Sequence, residues 1–258
     1  DGLRFALGTL TVLPVHVERW DRDAARRGME LAPLVGLLVG LAAAAAGAVA
    51  LVLGTSALLA AVITLAVPAV LTRGLHLDGL ADVADGLGSA KPAEGALRIM
   101  KKSDIGPFGV LTLVFVLLAQ VAAVNELYEQ GGWAHGALGV TVAAVTARSA
   151  LTLAARSGVA SARAEGLGAM VAGTVPVRTA GAVVAVVTLL ATAVGAAVYL
   201  WAALLGAVLC TLAVLLGLGA AELLLRHCRR RLGGVTGDVF GALAETAATV
   251  ALVVLALG

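Results

Sequence analysis

Seven stretches of this chain come close to the roughly 20 consecutive apolar residues that cross a bilayer, and they leave little room for any other architecture. They lie near residues 34–54, 56–72, 108–127, 137–155, 179–199, 203–225 and 239–258. Surrounded by lipid, such a run satisfies its own backbone only as a helix. The expected fold is therefore all-α, a polytopic integral membrane helical bundle of about seven transmembrane helices joined by short amphipathic helices. The second span is short, and only a tight turn around Tyr199-Leu-Trp201 divides the fifth from the sixth. Composition agrees, because 60% of the 258 residues are hydrophobic and only 13% are charged, far from soluble norms. Mean hydropathy is +1.02. Ala, Leu, Val and Gly fill the spans, so the helices should pack through small residues. A face such as Gly36-x3-Gly40 permits association within the chain or between copies in a homo-oligomer.

The few charges are placed unevenly. Of 18 Lys and Arg, five fall in 1–33, five in 73–107, three in 156–178 and four in 226–238, while Arg148 sits alone inside a span. The alternate loops, around 54–55, 128–136 and 200–202, contain none. The positive-inside rule then puts the N-terminus and all four polar segments in the cytoplasm of a protein of the cytoplasmic (inner) membrane, with the C-terminus outside. A one-span error would break this alternation. Net charge is only +2, and no nucleic-acid partner is implied. The chain reads as a single domain, 1–258, with a cytoplasmic loop at 73–107 and a second motif at 226–245.

Shorter signals fill the gaps. The apolar run 3–17 is broken at Pro14, so an interfacial or re-entrant helix is expected there. Asp21 is placed to cap a following helix whose arginines lie near headgroups. Ser89 to Glu94, with Pro92 in the first turn, predicts a short helix ending at Lys101-Lys102. Cys210 lies inside a span and Cys228 in a basic loop; both read as packing residues. The first residues show no signal-peptide pattern.

Gly74-Leu-His-Leu-Asp-Gly-Leu-Ala-Asp-Val-Ala-Asp-Gly86 concentrates the polar chemistry. As a helix, it projects Asp78, Asp82 and Asp85 from one face. Carboxylates so close repel each other and call for a cation; oxygen ligands that leave room for substrate phosphates suit magnesium. The reading is a metal-dependent phosphoryl-transfer site, set against the alternative of a solvated helix face. His76 is placed to touch phosphate or a leaving group, or to make a structural hydrogen bond.

The second constellation is Gly233-Gly-Val-Thr-Gly-Asp-Val-Phe-Gly241. Gly233, Gly234, Thr236 and Gly237 before a helix present backbone amides to a phosphate, or serve only as a cap. Asp238 faces the same boundary as the Asp cluster. Glu222 and Glu245 lie near span ends, and Arg148, inside the membrane, needs a carboxylate or a phosphate, a structural Arg–Glu pair being the alternative. Lys101, Lys102, Arg156, Arg163 and the 226–231 arginines form a basic rim, of which one or two residues would serve substrate. On the outer face only Glu126 and Glu129 are charged, and nothing there suggests a site.

These residues resemble the cobalamin synthases, or adenosylcobinamide-GDP ribazoletransferases. The matches are Pro33-Leu-Val-Gly36 with Gly40, the Gly74 to Gly86 block, Ile99-Met-Lys with Ser103 and Ile105-Gly106, Arg163 with Gly166-Leu-Gly168, and Gly233 to Ala242 with Glu245. They run in order through nearly the whole chain, and the His-Leu-Asp-Gly-Leu-Ala-Asp core is the specific part. One departure is local: Lys101-Lys102-Ser103-Asp104 stands where Lys-Asp-Ser-Arg is often found, so acidic and basic positions are exchanged.

The resemblance implies that α-ribazole, or its 5′-phosphate, displaces GMP from adenosylcobinamide-GDP to give adenosylcobalamin or its phosphate. It also implies magnesium as cofactor, held by Asp78, Asp82 and Asp85 with Asp238 or Glu245 completing the set. Asp82, His76 and Asp238 would act on the reacting groups, while Gly233, Gly234, Thr236, Gly237, Arg148, Arg163 and Lys101 would hold substrate. Two other readings compete. The CDP-alcohol phosphotransferases share an Asp-Gly-Leu-Ala-Asp core, but their Ala-Arg pair and final Asp-x3-Asp are absent. A transporter would carry its ionisable residues near the midplane, whereas here only Arg148 is deep.

Overall fold

The computed structural model describes residues 1–258, all helix and connection without a β-sheet. Helices α1 (Gly2–Leu10) and α2 (Arg22–Glu30) pack on each other at one end of the bundle. Asp21 caps α2 as expected, its carboxylate accepting from the Asp23 and Ala24 amides at 3.0 and 2.9 Å. Arg22, itself exposed, donates to the Ala169 and Ala172 carbonyls at 2.9 Å each.

The bundle is α3 (Ala32–Val52), α4 (Ala57–Leu71), α7 (Pro107–Ala154), α9 (Val177–Val198), α10 (Ala203–Leu232) and α11 (Gly237–Leu255). Three short helices, α5 (Leu75–Gly88), α6 (Ala93–Ile99) and α8 (Leu167–Val171), fill the connections. Five helices are long and apolar enough to cross a membrane, and α4 with α5, bent by 87°, makes a sixth candidate. That count takes the 48-residue α7 once, yet its helical angles break at Gly131 and Gly132, the latter at φ +60. Beyond the break the chain folds back, with Tyr128 against Gly136 and Leu127 against Gly139. Counting two arms in α7 brings the total to the expected seven or so. At 15 residues, α4 is the shortest.

The two ends differ in chemistry. At one, Arg231 donates to the Lys91 carbonyl and Arg229 to that of Gly158, drawing the polar connections together. At the other, Gln130 reaches the Ala256 carbonyl and His135 stacks on Tyr199 with ring centroids 4.3 Å apart. The expected loop at 226–238 is mostly helix, since α10 continues to Leu232 and carries Arg226 to Arg231 and Cys228. The reason is one-sided burial: Leu225, Cys228 and Leu232, at i, i+3 and i+7, are 1%, 0% and 3% exposed, while the arginines face outward.

Small residues set the helix spacing. A Cβ at Gly36 would stand 2.5 Å from the Ala144 carbonyl, and one at Gly40 2.8 Å from Cα of Thr141. The Gly36-x3-Gly40 face is thus used within the chain, packing α3 on the second arm of α7.

Candidate active site

The Asp block folds as predicted into one helix, but its setting is decided by the turn before it. Arg73 and Gly74 both take left-handed conformations, at φ 52 and 68, and send α5 off nearly perpendicular to α4, at 87°. It packs on the start of α11. A Cβ at Gly79 would meet the Asp238 carbonyl oxygen at 2.6 Å, and one at Gly241 would meet the His76 backbone at 3.1 Å. The two sequence motifs, some 150 residues apart, are therefore in backbone contact.

This contact brings Asp78 and Asp82 of α5 up to Asp238 of α11. Asp78 is exposed, Asp82 and Asp238 half-buried. Burial first, then repulsion from Asp78, Asp238 and Asp85, pushes the Asp82 carboxyl up to about 7, with Arg163 working against the rise. The site is short of positive charge, and its one close cation is Arg163, which donates to Asp238 at 3.4 Å and to the Leu97 carbonyl at 3.0 Å.

The glycine-rich turn positions both Arg163 and Asp238. Gly233 ends α10 at φ +83, and Gly234 lies so close to the 160–162 backbone that no side chain fits. Val235 and Ala162 exchange backbone bonds across this contact, Val235 N–H to the Ala160 carbonyl and Ala162 N–H to the Val235 carbonyl, both at 2.9 Å. Thr236 caps α11, accepting from Val239 N–H at 3.3 Å, and its hydroxyl donates to Asp238 at 3.1 Å. The Gly237 amide has no backbone partner, as the first turn of a helix leaves it, and the Asp238 amide faces its own carboxylate. Beside them opens a cavity of about 280 Å³ lined by Asp78, Arg163, Thr236, Gly237 and Asp238 on its polar side.

Other predicted residues are placed elsewhere. Asp85 is buried, and both its oxygens are taken by the amides of Gly106 (2.7 Å) and Gly109 (2.9 Å) at the start of α7. Glu245 lies two turns down α11, where it accepts from Gln120 at 2.9 Å. Arg148 makes no direct ion pair with it; both line a second, smaller cavity of about 60 Å³ inside the bundle. Arg148 instead approaches Nδ1 of His76 at 3.4 Å, and His76 Nε2 and Arg148 Nε are buried without partners. Burial, then the charge of Arg148, holds the His76 imidazole well below its usual range, so it is neutral. His76 lines both cavities and is the one side chain of the Asp block that does so. Lys101, like Lys102 and Asp104, is exposed and lines neither. Glu222 pairs with Arg156 at 3.0 Å and Arg226 at 2.8 Å, a structural link at the polar end.

Sequence reasoning passed over Gln120. A lone amide in an apolar span was the available signal, since polar groups there are normally hydrogen-bonded. It also passed over Glu165 and the apolar cavity wall, for which position along the chain gave no cue.

The cobalamin-5-phosphate synthase family profile matches residues 2–256. The chain belongs to that family. Relatives named adenosylcobinamide-GDP ribazoletransferase include one from Frankia casuarinae, 44% identical with 98% of this chain and 94% of that protein covered. Another, from Nocardioides sp., is 39% identical over 96% of this chain and 94% of its own length. One from Bradyrhizobium diazoefficiens is 38% identical over 98% and 92%. No solved structure matches.

Proposed function

We infer that the protein is a membrane-bound adenosylcobinamide-GDP ribazoletransferase, joining α-ribazole or its 5′-phosphate to the cobinamide phosphate and releasing GMP. The observation that carries the site assignment is the approach of Asp78 and Asp82 to Asp238 and Arg163 at the polar end. A ribose hydroxyl oxygen bonds to the cobinamide-side phosphorus, the bond from that phosphorus to the bridging oxygen breaks, and GMP leaves. Transfer of this kind depends on positioning and charge neutralisation more than on covalent help.

Magnesium is tested by the donor set. No three acidic, histidine or cysteine side chains are arranged to hold a cation by themselves. Asp78, Asp82 and Asp238 nevertheless supply oxygen donors, and magnesium is normally held by one or two carboxylates plus substrate phosphates. One or two of them would hold it together with substrate phosphate, while Asp85 and Glu245 accept hydrogen bonds from other groups. Bound there, the ion would neutralise charge on the pyrophosphate oxygens. The chain's own part is distinct: Arg163 and the free Gly237 amide bind phosphate oxygen, and a carboxylate of the cluster accepts the attacking hydroxyl's proton.

The four Lys- and Arg-rich segments support a cytoplasmic location for this end in the inner membrane, the side on which nucleotide substrates are found. The test is GMP release by purified protein in detergent. Release should require both substrates and magnesium, and Asp82→Asn should abolish it. Undiminished magnesium-dependent turnover by that variant would remove the metal assignment.

A further inference from the structure

Beside the carboxylates, the 280 Å³ cavity carries a second wall that phosphate binding does not use. It is built by Leu10 of α1, Met29 of α2, Leu151 of α7, Val171 of α8 and Phe240 of α11. All five are core side chains, between 1% and 8% exposed. Five separate elements thus converge on one apolar surface, and Arg22 ties two of them together through the Ala169 and Ala172 carbonyls.

We propose that this cavity is the acceptor pocket, taking the heterocyclic base and ribose of the riboside, while the corrinoid and its guanosine stay outside it. The assignment rests on the transferase reading above. Size makes the first cut. Pockets for drug-sized ligands run from about 300 to 1,000 Å³, so a cavity of about 280 Å³ suits one nucleoside and is far too small for a corrin macrocycle.

Charge and polarity make the second cut, between riboside and guanosine. The polar side of the cavity carries Asp78, Asp238 and Glu165 against the single cation Arg163. These carboxylates accept hydrogen bonds from sugar hydroxyls. The apolar wall has no donor or acceptor for the edge of a guanine, whose buried polar groups would go unpaired at a cost. A benzimidazole riboside has a single ring-nitrogen acceptor and is otherwise apolar, so its penalty is much smaller. With the base on the Leu10, Met29, Leu151, Val171 and Phe240 wall, the ribose hydroxyls face Asp78 and Asp238, where the attacking oxygen must lose its proton.

Two measurements on the full-length protein in detergent test this. Equilibrium dialysis without magnesium or corrinoid should show α-ribazole bound to wild type, with excess GMP failing to displace it. In steady-state assays Val171→Phe, which fills the apolar end, should raise KM for α-ribazole by about tenfold or more, the scale of discrimination in apolar pockets. KM for adenosylcobinamide-GDP should stay within about twofold, as expected when only one substrate's binding contacts change. Leu10→Ala, which widens the same wall, should move the same constant and provides the kinetic readout if Val171→Phe does not fold. Displacement by GMP, no riboside binding, or a rise confined to the KM of the nucleotide substrate would overturn the assignment. Absence of GMP release by wild type supplied with both substrates and magnesium would instead defeat the transferase reading, and the dialysis result stands apart from it.

Discussion

Asp85 holds the Gly106 backbone N–H at 2.7 Å on one carboxylate oxygen, and the Gly109 N–H at 2.9 Å occupies the other. It thereby closes the amide end of the longest helix, and a side chain at either glycine would collide with it. Each oxygen of the third aspartate of the block thus meets a backbone amide, although its spacing matches that of the other two. Asp85→Ala should cost about 1.5–3 kcal/mol, the range for hydrogen bonds to a charged group, read as a lower melting temperature in detergent. The magnesium concentration giving half-maximal turnover should not move. A large rise in that concentration, without loss of stability, would return Asp85 to the metal.

Asp82 should leave its mark on pH dependence. Its folded value of about 7 lies above its ordinary 3.8, so the fold favours the protonated form. The stabilising contribution is complete below pH 3.8 and is lost as pH rises through about 7. In magnesium-free detergent the melting temperature should therefore fall across that window, and Asp82→Asn should flatten the slope. Added magnesium should reverse the loss near neutral pH in wild type and have little effect in the variant.

Hydropathy alone gave the spans because burying an apolar run in lipid hardly depends on its neighbours. The break at Gly131 and Gly132 was visible for the same reason, as a gap in the 128–136 region. The division of labour among carboxylates was not. Asp78, Asp82 and Asp85 share a helix face, and only the packing of α7 and α11 against that face decides which one meets amides and which meets Asp238. Glu245 shows the same limit: seven residues below Asp238, it sits about 10 Å farther along the helix axis, too deep to join the cluster. The end of α10 was misread because arginine density resembles a loop, while the alternation of Leu225, Cys228 and Leu232 marks a helix.

Arg148 and Glu245 form a charge pair that does not touch. Both line the small inner cavity, Arg148 beside His76 and Glu245 beside Gln120. Arg148→Met should destabilise by about 1–3 kcal/mol, the scale for leaving a polar group without its compensating partner, because it removes the positive charge nearest the Glu245 carboxylate. The double variant Arg148→Met with Glu245→Gln should recover a good part of this, giving a coupling of about 0.5–3 kcal/mol in a double-mutant cycle. Additive losses would mean that the two charges are compensated independently.

Gly79 carries the last prediction, because it is where the two motifs meet. A Cβ there would lie 2.6 Å from the Asp238 carbonyl oxygen, which is backbone and cannot swing away. Gly79→Ala must therefore push α5 off α11 and part Asp78 and Asp82 from Asp238 and Arg163. Overpacking of this kind costs about 1–3 kcal/mol, and misplacing reacting groups by about 1 Å can cost 100-fold in rate. The variant should fold with a lowered melting temperature and lose turnover by about two orders of magnitude, out of proportion to its loss of stability. Gly219→Ala, on α10 where an added Cβ meets nothing within 4 Å, is the matched control and should gain about 0.5–1 kcal/mol with unchanged turnover. If both substitutions left activity intact, the contact between α5 and α11 would not be what assembles the site.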